Sequence, residues 1–443
     1  MPLRMGYGGG IGGLTLAVAL SRLDLENFIE VDIYESAPEL TQVGAGITFW
    51  PRAWKILQKL GLEEALVRHL SPGQHVPDGK SRLGFQFRKA DQSVGVPIHD
   101  LVFAGAALSF HRASVQEILL ENISPSIRCH LSNRLVSYSP ADESGEVKLF
   151  FEDGKTVNCD LLVGADGLKS VVRKQFVADN VQPGHVTSGD PVWTGTFAYR
   201  CMIESNIVSQ KVPGHHALKT PVIYCGKNKH LVVYPILQGR VINVVAYESD
   251  LSKEGSIYDG PSFQDVTKDD VLPLFGEWDE EVRVLVEVSM EKPSRWAIHT
   301  IDPLESYASG PVLLLGDAAH AMAPHQGNGA GQAIEDAYIL AHLISKTVRN
   351  QKAISHLTQI YDAVRRPFAH GLLYQFNAPG FEDIQEFDEN VNKDKLDRLA
   401  RLIIGDWEYA WMTTAEEELG RHWRCFKPRP YPAEDHESPK PSI

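Results

Sequence analysis

The stretch GGGIGG at residues 8–13 decides the fold. It fits the pattern G-x-G-x-x-G through Gly8, Gly10 and Gly13, and apolar residues at helical spacing follow it. Glycines in this pattern allow a tight turn, let the backbone approach a pyrophosphate and let the helix pack on the preceding strand. The helix N-terminus adds a positive dipole that favours phosphate. A generic glycine-rich loop would look the same, so the stretch alone leaves both interpretations open.

An acidic residue after the next predicted strand supports the nucleotide interpretation. Residues 29–34 read as a strand, and Glu35 follows them directly. A carboxylate at this place can bind the two ribose hydroxyls of an adenosine. The strand before the glycines, residues 2–7, is short and carries Arg4 and Gly6 where apolar branched residues are expected. This departure predicts a weak first strand or an incomplete N-terminus.

Two further motifs each join a buried strand to a carboxylate. DLLVGADG at residues 160–167 contains Asp166, and GPVLLLGDAAH at residues 310–320 delivers Asp317 after an apolar run. In open α/β sheets, ligands bind in the crevice at the carboxyl ends of the strands, so both motifs are candidates for a binding site. Each one taken alone also fits a buried strand that ends in a tight Asp/Gly turn.

The pattern of predicted elements places one sheet inside another domain. The first half alternates helical patterns with short apolar strands, which is typical of βαβ units around a parallel sheet. From about residue 192 to 288 the predicted strands are rich in β-branched residues, and apolar and polar side chains alternate along them. Turn residues separate these strands, which favours a mixed or antiparallel sheet. We therefore predict a discontinuous Rossmann-like domain at 1–178 and 293–375, an inserted β-sheet domain at 179–292, and a helical C-terminal segment with a tail at 376–443.

Composition limits the class of partner. The 443 residues carry 43 Lys and Arg against 57 Asp and Glu, a formal net charge of −14, and no basic cluster offsets it. An acidic chain repels phosphodiesters, so we expect no nucleic acid partner. No uncharged apolar run reaches the ~18 residues that a membrane helix needs. The five cysteines are scattered and form no C-x-x-C pair, so we expect a cytoplasmic protein with no metal site and no membrane span.

The three motifs, in this order, resemble those of the single-component FAD-dependent aromatic monooxygenases, the class A flavoprotein hydroxylases. Within that family the chain is similar to the fungal salicylate hydroxylase-like enzymes. The similarity covers nearly the whole chain and is weakest in the C-terminal tail. The other segments that carry it are Gly44-Ala-Gly-Ile47, Phe110-His-Arg112, Tyr199-Arg200, Tyr234-Pro235, Arg295-Trp296 and Pro324-His-Gln-Gly327.

The resemblance implies FAD as cofactor, with NAD(P)H as a co-substrate that docks transiently without a dinucleotide fingerprint of its own. It associates Asp166 with both FAD and the nicotinamide cofactor. The other FAD contacts that it implies are Gly8, Gly10 and Gly13 at the pyrophosphate, Glu35 at the adenosine ribose, Ala45 and Gly46 along the cofactor, Arg112 at the ribityl–phosphate region, Asp317 at the ribityl chain, Pro324 behind the flavin, and Gly329 and Ala330 at its pyrimidine edge.

The resemblance also implies the reaction, in which NAD(P)H and O₂ are used to hydroxylate a phenolic ring. If a carboxylate occupies the attacked carbon, hydroxylation expels CO₂. Arg200 and Tyr234 each end an apolar strand and match an Arg and a Tyr that hold the phenolate oxygen in related fungal hydroxylases. A cation and a hydroxyl there stabilise the deprotonated phenol. The residues alone equally allow Arg200 to pair with a surface acid and Tyr234 to be a core residue.

Two other functions stay open at this point. One is a flavin enzyme with a non-phenolic substrate, such as an epoxidase or hydroxylase of a polyketide or terpenoid intermediate in secondary metabolism, or an amine oxidase. The other is a catalytically impaired flavin-binding homologue, suggested by the irregular first strand. Hydrolase motifs of the Gly-x-Ser-x-Gly or His-Glu-x-x-His type do not occur. We expect a small aromatic substrate, O₂ and NAD(P)H as partners and a monomer or homodimer as the assembly.

Overall fold

The computed structural model describes residues 3–40, 46–140, 145–180, 188–289, 293–348, 354–376 and 393–425. Within these ranges the strands form four sheets, around which the helices pack. In chain order the strands are β1 (Leu3–Tyr7), β2 (Ile29–Tyr34), β3 (Gly46–Phe49), β4 (Ser81–Lys89), β5 (Val96–Ala104), β6 (Leu108–His111), β7 (Arg128–His130), β8 (Leu135–Tyr138), β9 (Val147–Phe151), β10 (Thr156–Cys159), β11 (Leu161–Gly164), β12 (Val192–Glu204), β13 (Val222–Gly226), β14 (Lys229–Ile236), β15 (Val241–Ser249), β16 (Phe263–Asp265), β17 (Ser294–Thr300), β18 (Ala308–Ser309) and β19 (Val312–Leu314). The helices are α1 (Ile11–Ser21), α2 (Pro51–Lys59), α3 (Glu63–Val67), α4 (Arg112–Glu121), α5 (Val171–Asn180), α6 (Ser205–Lys211), α7 (Lys268–Phe275), α8 (Glu280–Ser289), α9 (Asp317–His320), α10 (Gly329–Thr347), α11 (Ile354–Phe376), α12 (Lys393–Trp407), α13 (Tyr409–Met412) and α14 (Ala415–Cys425).

A six-stranded sheet in the order β18-β19-β11-β1-β2-β7 forms the centre of the nucleotide domain. Its strands run parallel except for β18, which pairs antiparallel with β19. The central strand is β1, the one expected to be weak. Arg4 is bound by Asp160 and Glu146, and an added Cβ at Gly6 would lie only 3.2 Å from the Leu149 side chain. The expected weakness is therefore not found, because the arginine is partnered and the glycine is closely packed.

Helix packing explains another glycine of the first motif. An added Cβ at Gly12 would lie 2.5 Å from the Leu315 side chain and 3.2 Å from Cβ of Ala333 on α10. Gly12 therefore lets α1 approach both the third motif and α10, while Gly13 is buried within α1. This close contact joins the first and third motifs in one core.

An eight-stranded sheet in the order β16-β17-β12-β15-β14-β13-β4-β5 covers the carboxyl side of the nucleotide domain. It is antiparallel except at β13 and β4, which run parallel, so the predicted mixed sheet is present. One face packs on α7 and α8 through residues such as Tyr199 and Val244, while Ala198 and Val245 belong to the opposite face. Strands β4, β5 and β17 of this sheet lie outside residues 179–292. β4 joins the sheet by pairing with β13, which is far from it along the chain, and β5 pairs with β4. The predicted insertion therefore does not contain the whole sheet, and the domain division stays a prediction.

The C-terminal helices α12–α14 pack against the eight-stranded sheet and against the nucleotide domain, so the predicted helical C-terminus is present. Leu399, Ile403 and Trp407 of α12 enter a core with aromatic residues of β4 and β5. Glu418 of α14 forms an ion pair of 2.7 Å with Arg52 of α2. Among the helices of the described ranges, none is both long and apolar enough to cross a bilayer.

Candidate active site

A groove of about 420 Å³ runs along the carboxyl ends of β1, β2, β11 and β19 and collects residues from all three motifs. An added Cβ at Gly8 would lie 2.8 Å from the Ala165 carbonyl oxygen, so glycine is required for the two turns to meet. An added Cβ at Gly10 would meet no atom within 4 Å, because it would point into the groove. The predicted site residues that line the groove are Gly8, Gly10, Glu35, Arg112, Asp166, Asp317, Gly329 and Ala330.

The Glu35 side chain is held at one end of this groove. Its Oε1 accepts hydrogen bonds from the Ala37 backbone N–H at 2.8 Å and from the Ser36 hydroxyl at 3.1 Å. An added Cβ at Gly9 would lie 3.0 Å from its other oxygen, so the carboxylate lies close to the glycine-rich turn. A fixed carboxylate at this position can accept hydrogen bonds from a ribose diol.

Asp166 lines the groove, but the adjacent helix uses its carboxylate. The oxygens accept hydrogen bonds from the Ser170 hydroxyl and from the N–H groups of Val171 and Val172, which lie at the start of α5. Arg173 of the same helix donates to the Asp317 and Ala318 carbonyl oxygens at 3.4 Å. Asp166 therefore caps α5, and α5 joins the second motif to the third.

Arg112 and Asp317 lie where the groove meets a second cavity. Asp317 begins α9 after Gly316, whose φ of +63° favours glycine. Arg112 begins α4, and no ion pair to it is found within the described residues. Burial lowers the pKa of Arg112, and the neighbouring Asp317 carboxylate opposes that effect. A partly buried cation without an ion-pair partner favours an anionic ligand.

The second cavity, of about 380 Å³, lies between the eight-stranded sheet and the turn that begins at Pro324. It shares Arg112, Asp317, Gly329 and Ala330 with the groove, so the two spaces are continuous. The sheet side chains that line it are Phe85, Arg200, Ile223, Val232, Tyr234, Val245, Tyr247, Trp296 and Ile298. A largely apolar cavity with a few polar groups is typical of a small-molecule site.

Both predicted substrate residues face this cavity. The Arg200 guanidinium lies 5.0 Å from the centre of the Trp296 ring, and no carboxylate pairs with it among the described residues. An added Cβ at Gly46 would lie 2.3 Å from the Tyr234 hydroxyl, so glycine at this position leaves room for the tyrosine. Burial raises the pKa of Tyr234 and keeps its hydroxyl protonated. Within the described residues no surface acid pairs with Arg200, and its role in the site stays a prediction.

His325, which the sequence did not single out for the site, also lines the cavity. Its ring centre lies 5.1 Å from that of His230 and 5.2 Å from that of Tyr247. Burial lowers the pKa of His325 to about 4, so the ring is neutral near pH 7. The sequence shows that His325 lies in the turn after Pro324. It does not show which strands face this turn, because their position depends on pairing between distant parts of the chain. No group of metal-ligating side chains with the geometry of a metal site occurs in the part of the chain that the structure describes.

Comparison with known proteins identifies the fold and the cofactor. Residues 7–375 match the family described as FAD binding domain. The chain belongs to this family. It is 34% identical over 381 residues to salicylate hydroxylase of Pseudomonas putida, covering 83% of each chain. It is also 34% identical to 6-methylsalicylate 1-monooxygenase atA of Aspergillus terreus, covering 77% of this chain and 74% of the relative.

A solved structure described as a salicylate hydroxylase substrate complex has the same fold. Its TM-score is 0.79 at 30% sequence identity, with 95% of this chain and 98% of that chain covered. The protein is therefore a FAD-dependent monooxygenase, and NAD(P)H is the co-substrate typical of its family. The predicted family, fold class, cofactor and class of activity are confirmed.

The groove of the monooxygenase fits FAD at several independent points. The space beside Gly10 is open, the Glu35 carboxylate lies at one end of the groove, and Arg112 is a partly buried cation without an ion-pair partner in the described ranges. The N-terminus of α10 brings Gly329 and Ala330 to the junction with the second cavity. Free N–H groups at a helix N-terminus attract an electron-rich ring edge.

Two of the remaining predicted cofactor residues, Gly46 and Pro324, line the second cavity. Pro324 begins a short 3₁₀ turn and lines the second cavity. Gly46 begins β3 and lies against Tyr234. Gly13 is buried in α1 and does not line the groove, and Ala45 lies outside the described residues.

Proposed function

We propose that this monooxygenase hydroxylates a phenol that carries a carboxylate, a hydroxybenzoate of the salicylate type, and releases the carboxylate as CO₂. The observation that carries the proposal is Arg200, a cation that faces an aromatic cavity continuous with the FAD groove and has no carboxylate partner in the described ranges. A cation at the edge of an apolar site is stabilised when an anionic ligand pairs with it. The relatives named salicylate hydroxylase and 6-methylsalicylate 1-monooxygenase support this substrate class.

The proposed reaction balances with the co-substrates of the family. One hydroxybenzoate anion, one O₂, one NAD(P)H and two protons give one catechol, CO₂, water and NAD(P)⁺. NAD(P)H is oxidised, one oxygen atom joins the ring carbon that loses the carboxylate, and the other oxygen atom leaves as water. FAD, when bound, supplies the two-electron chemistry that connects NAD(P)H to O₂. The protein must bind and orient the ring and keep water away from it.

In this proposal three side chains of the second cavity act on the phenol. Arg200 pairs with the anionic oxygen and favours the deprotonated ring, which is the more nucleophilic form. Tyr234 is protonated and donates a hydrogen bond to the same region. Neutral His325 can accept a hydrogen bond from the phenol hydroxyl before that hydroxyl loses its proton, since its Nδ1 has no partner among the described residues.

The cofactor assignments belong to the same proposal. Glu35 would hold the adenosine ribose of FAD, Arg112 its ribityl–phosphate region and Asp317 its ribityl chain. Pro324 would back the flavin, and the N–H groups of Gly329 and Ala330 would hold its pyrimidine edge. Asp166 acts indirectly, because its carboxylate caps α5 and so positions the groove.

The test is the substitution Arg200→Gln, measured on a panel of hydroxybenzoates with product masses scored for added oxygen and for lost CO₂. We expect wild type to convert salicylate-type substrates with loss of CO₂. The variant should keep its flavin spectrum but lose roughly 30-fold or more in kcat/KM, since removing one partner of a buried charge pair costs about 2–5 kcal/mol. It should also consume NAD(P)H without forming product.

The control is Arg295→Gln on the neighbouring strand. Arg295 lies against Phe197 and Gln264 on the other face of the sheet and does not line the cavity. Wild-type kcat/KM in the control and a loss in Arg200→Gln support the proposal. Normal hydroxylation by Arg200→Gln would show that the substrate anion binds elsewhere.

A further inference from the structure

One wall of the second cavity comes from the C-terminal helices, beyond residue 375, where the match to the family ends. Trp407, the last residue of α12, is 2% exposed and lines the cavity. Its ring centre lies 5.6 Å from that of Phe87 and 6.4 Å from that of Trp50. The sequence pattern indicates only that this tryptophan packs in a helical segment, whereas its position brings it to the proposed substrate.

The wall lies at the end of the cavity opposite Arg200. Arg200 is on β12, and the sheet continues through β15, β14 and β13 to β4, which carries Phe85 and Phe87. Four steps of about 4.8 Å place β4 roughly 19 Å from β12. Arg200 and the wall therefore lie on opposite sides of the cavity, and side chains of β13, β14 and β15 line the space between them.

The Trp407 end of the cavity is apolar. Its lining consists of Trp50, Phe85, Ile223 and Trp407, without a charged side chain among them. A charged substituent would lose its hydration there without gaining a counter-charge, whereas an alkyl group gains from burial against these side chains. The chemistry of this end therefore favours an apolar ring substituent.

The wall is fixed in position by contacts on both sides. Leu399 and Ile403 of α12 are buried in the same core as Phe85. On the far side, Arg52 of α2 donates to the Thr413 hydroxyl and pairs with Glu418, so the chain after Trp407 is tied to the nucleotide domain. A wall held by packing and by a buried ion pair has a defined position and can discriminate substrates by length.

We propose that the C-terminal helices complete the substrate site and that Trp407 sets the length of the apolar substituent that the hydroxybenzoate can carry. The substrate is then a hydroxybenzoate with a short alkyl group directed away from its anionic end. This inference rests on the proposed function for the position of the ring. Trp407 acts as a specificity-determining residue and takes no part in the chemistry.

The experiment uses FAD-loaded wild type and the variants Trp407→Ala, Trp407→Phe and Trp411→Ala. Each is titrated with salicylates that carry a methyl to n-hexyl chain at each free ring position. The dissociation constant is read from the change in flavin fluorescence, and kcat/KM from the oxygenated product. Trp411 is the matched control, because it stacks on Phe103 with ring centres 4.6 Å apart and does not line the cavity.

We expect wild type to reject chains beyond a certain length and Trp407→Ala to move this limit to longer chains. Each methylene that enters the new space should tighten binding by roughly three- to fourfold. Trp407→Phe should move the limit less, and Trp411→Ala should keep it. If Trp407→Ala loses its flavin, Trp407→Phe decides the question.

Two outcomes separate this inference from the proposed function. An unchanged length limit in both Trp407 variants, in an enzyme that hydroxylates salicylates, overturns the inference alone. A length limit in binding that follows Trp407, in an enzyme that hydroxylates none of the phenols, supports the inference about the wall and overturns the proposed function.

Discussion

Neighbouring residues on one strand can have unrelated roles in this enzyme, because successive side chains of a strand point to opposite faces. Tyr199 packs towards α7 and α8, whereas Arg200 faces the cavity. On β17 the same alternation separates Arg295 from Trp296. The local sequence predicts both faces, but which face meets the cofactor depends on how the sheet docks on the nucleotide domain.

Two glycines of the first motif should respond differently to substitution. Gly12→Ala places a Cβ 2.5 Å from Leu315, so we expect a loss of about 1–3 kcal/mol in the free energy of unfolding through overpacking. Gly10→Ala meets no protein atom within 4 Å and should leave the stability of the FAD-free protein unchanged, while FAD binding weakens. Urea denaturation and FAD titration measure the two effects. Equal losses of stability in both variants would contradict these packing roles.

At the scale of elements, a buried charge network joins helices from distant parts of the chain. Arg52 of α2 and Arg365 of α11 both bind Glu335 of α10, at 2.7 and 3.0 Å. Asp336 accepts a hydrogen bond from the Gly316 N–H at 2.9 Å and also pairs with Arg365. Because Gly316 directly precedes Asp317, the network holds the carboxylate of the third motif in place.

Removing one charge of this network should be costly. Glu335→Gln leaves two buried arginines with fewer anions, so we expect a loss of about 3–5 kcal/mol in the free energy of unfolding. The control Glu64→Gln breaks an exposed pair with Arg68, where the side chains are 86% and 71% exposed, and should cost less than about 1 kcal/mol. Denaturant titration of both variants provides the comparison. Similar losses in the two would show that the buried network contributes no more than a surface pair.

The elements that the sequence predicted well are those whose signals are local. β2 has the predicted limits, and helix α1 begins within the glycine-rich stretch, where the apolar residues at helical spacing predicted it. The sequence did not predict that β4 and β5 belong to the inserted sheet, because β4 enters it by a parallel pairing with β13 across a long stretch of chain. The contribution of Trp407 to the cavity was missed for the same physical reason. The glycine-rich turn and the carboxylates at the strand ends carry local signals, and the structure brings them to one groove; their roles at the cofactor stay predictions.

At the scale of the whole molecule, the nucleotide domain and the eight-stranded sheet meet around three rings, of which two are buried and His325 is partly buried. His325 belongs to the nucleotide domain, whereas His230 and Tyr247 belong to the eight-stranded sheet, and their ring centres lie 5.1 and 5.2 Å from that of His325. Burial lowers the pKa of His325 to about 4 and lowers that of His230 as well. Protonation of either ring would place a positive charge in the interface between the domains.

Acid should therefore weaken the folded protein before its carboxylates titrate. Below pH about 6.5 the unfolded chain binds protons that folded His325 takes up only near pH 4, so stability falls in this window by roughly 1.4 kcal/mol per pH unit per histidine. His325→Gln should reduce the slope, and His75→Gln, an exposed position, should not. Denaturant titrations from pH 7 to 4 measure the slopes. A slope in His325→Gln equal to that of wild type would contradict the role of burial.

The position of Trp407 also has a consequence for the order in which the enzyme becomes competent. Ribosomes deliver the N-terminal part of a chain first. All three cofactor motifs precede residue 340, whereas the wall at Trp407 and the anchor at Glu418 come later. A chain interrupted between them would retain the groove residues but leave the substrate cavity open on one side. We therefore expect a fragment that ends before Trp407 to form no hydroxylated product, and product masses measured beside the full chain would show the difference.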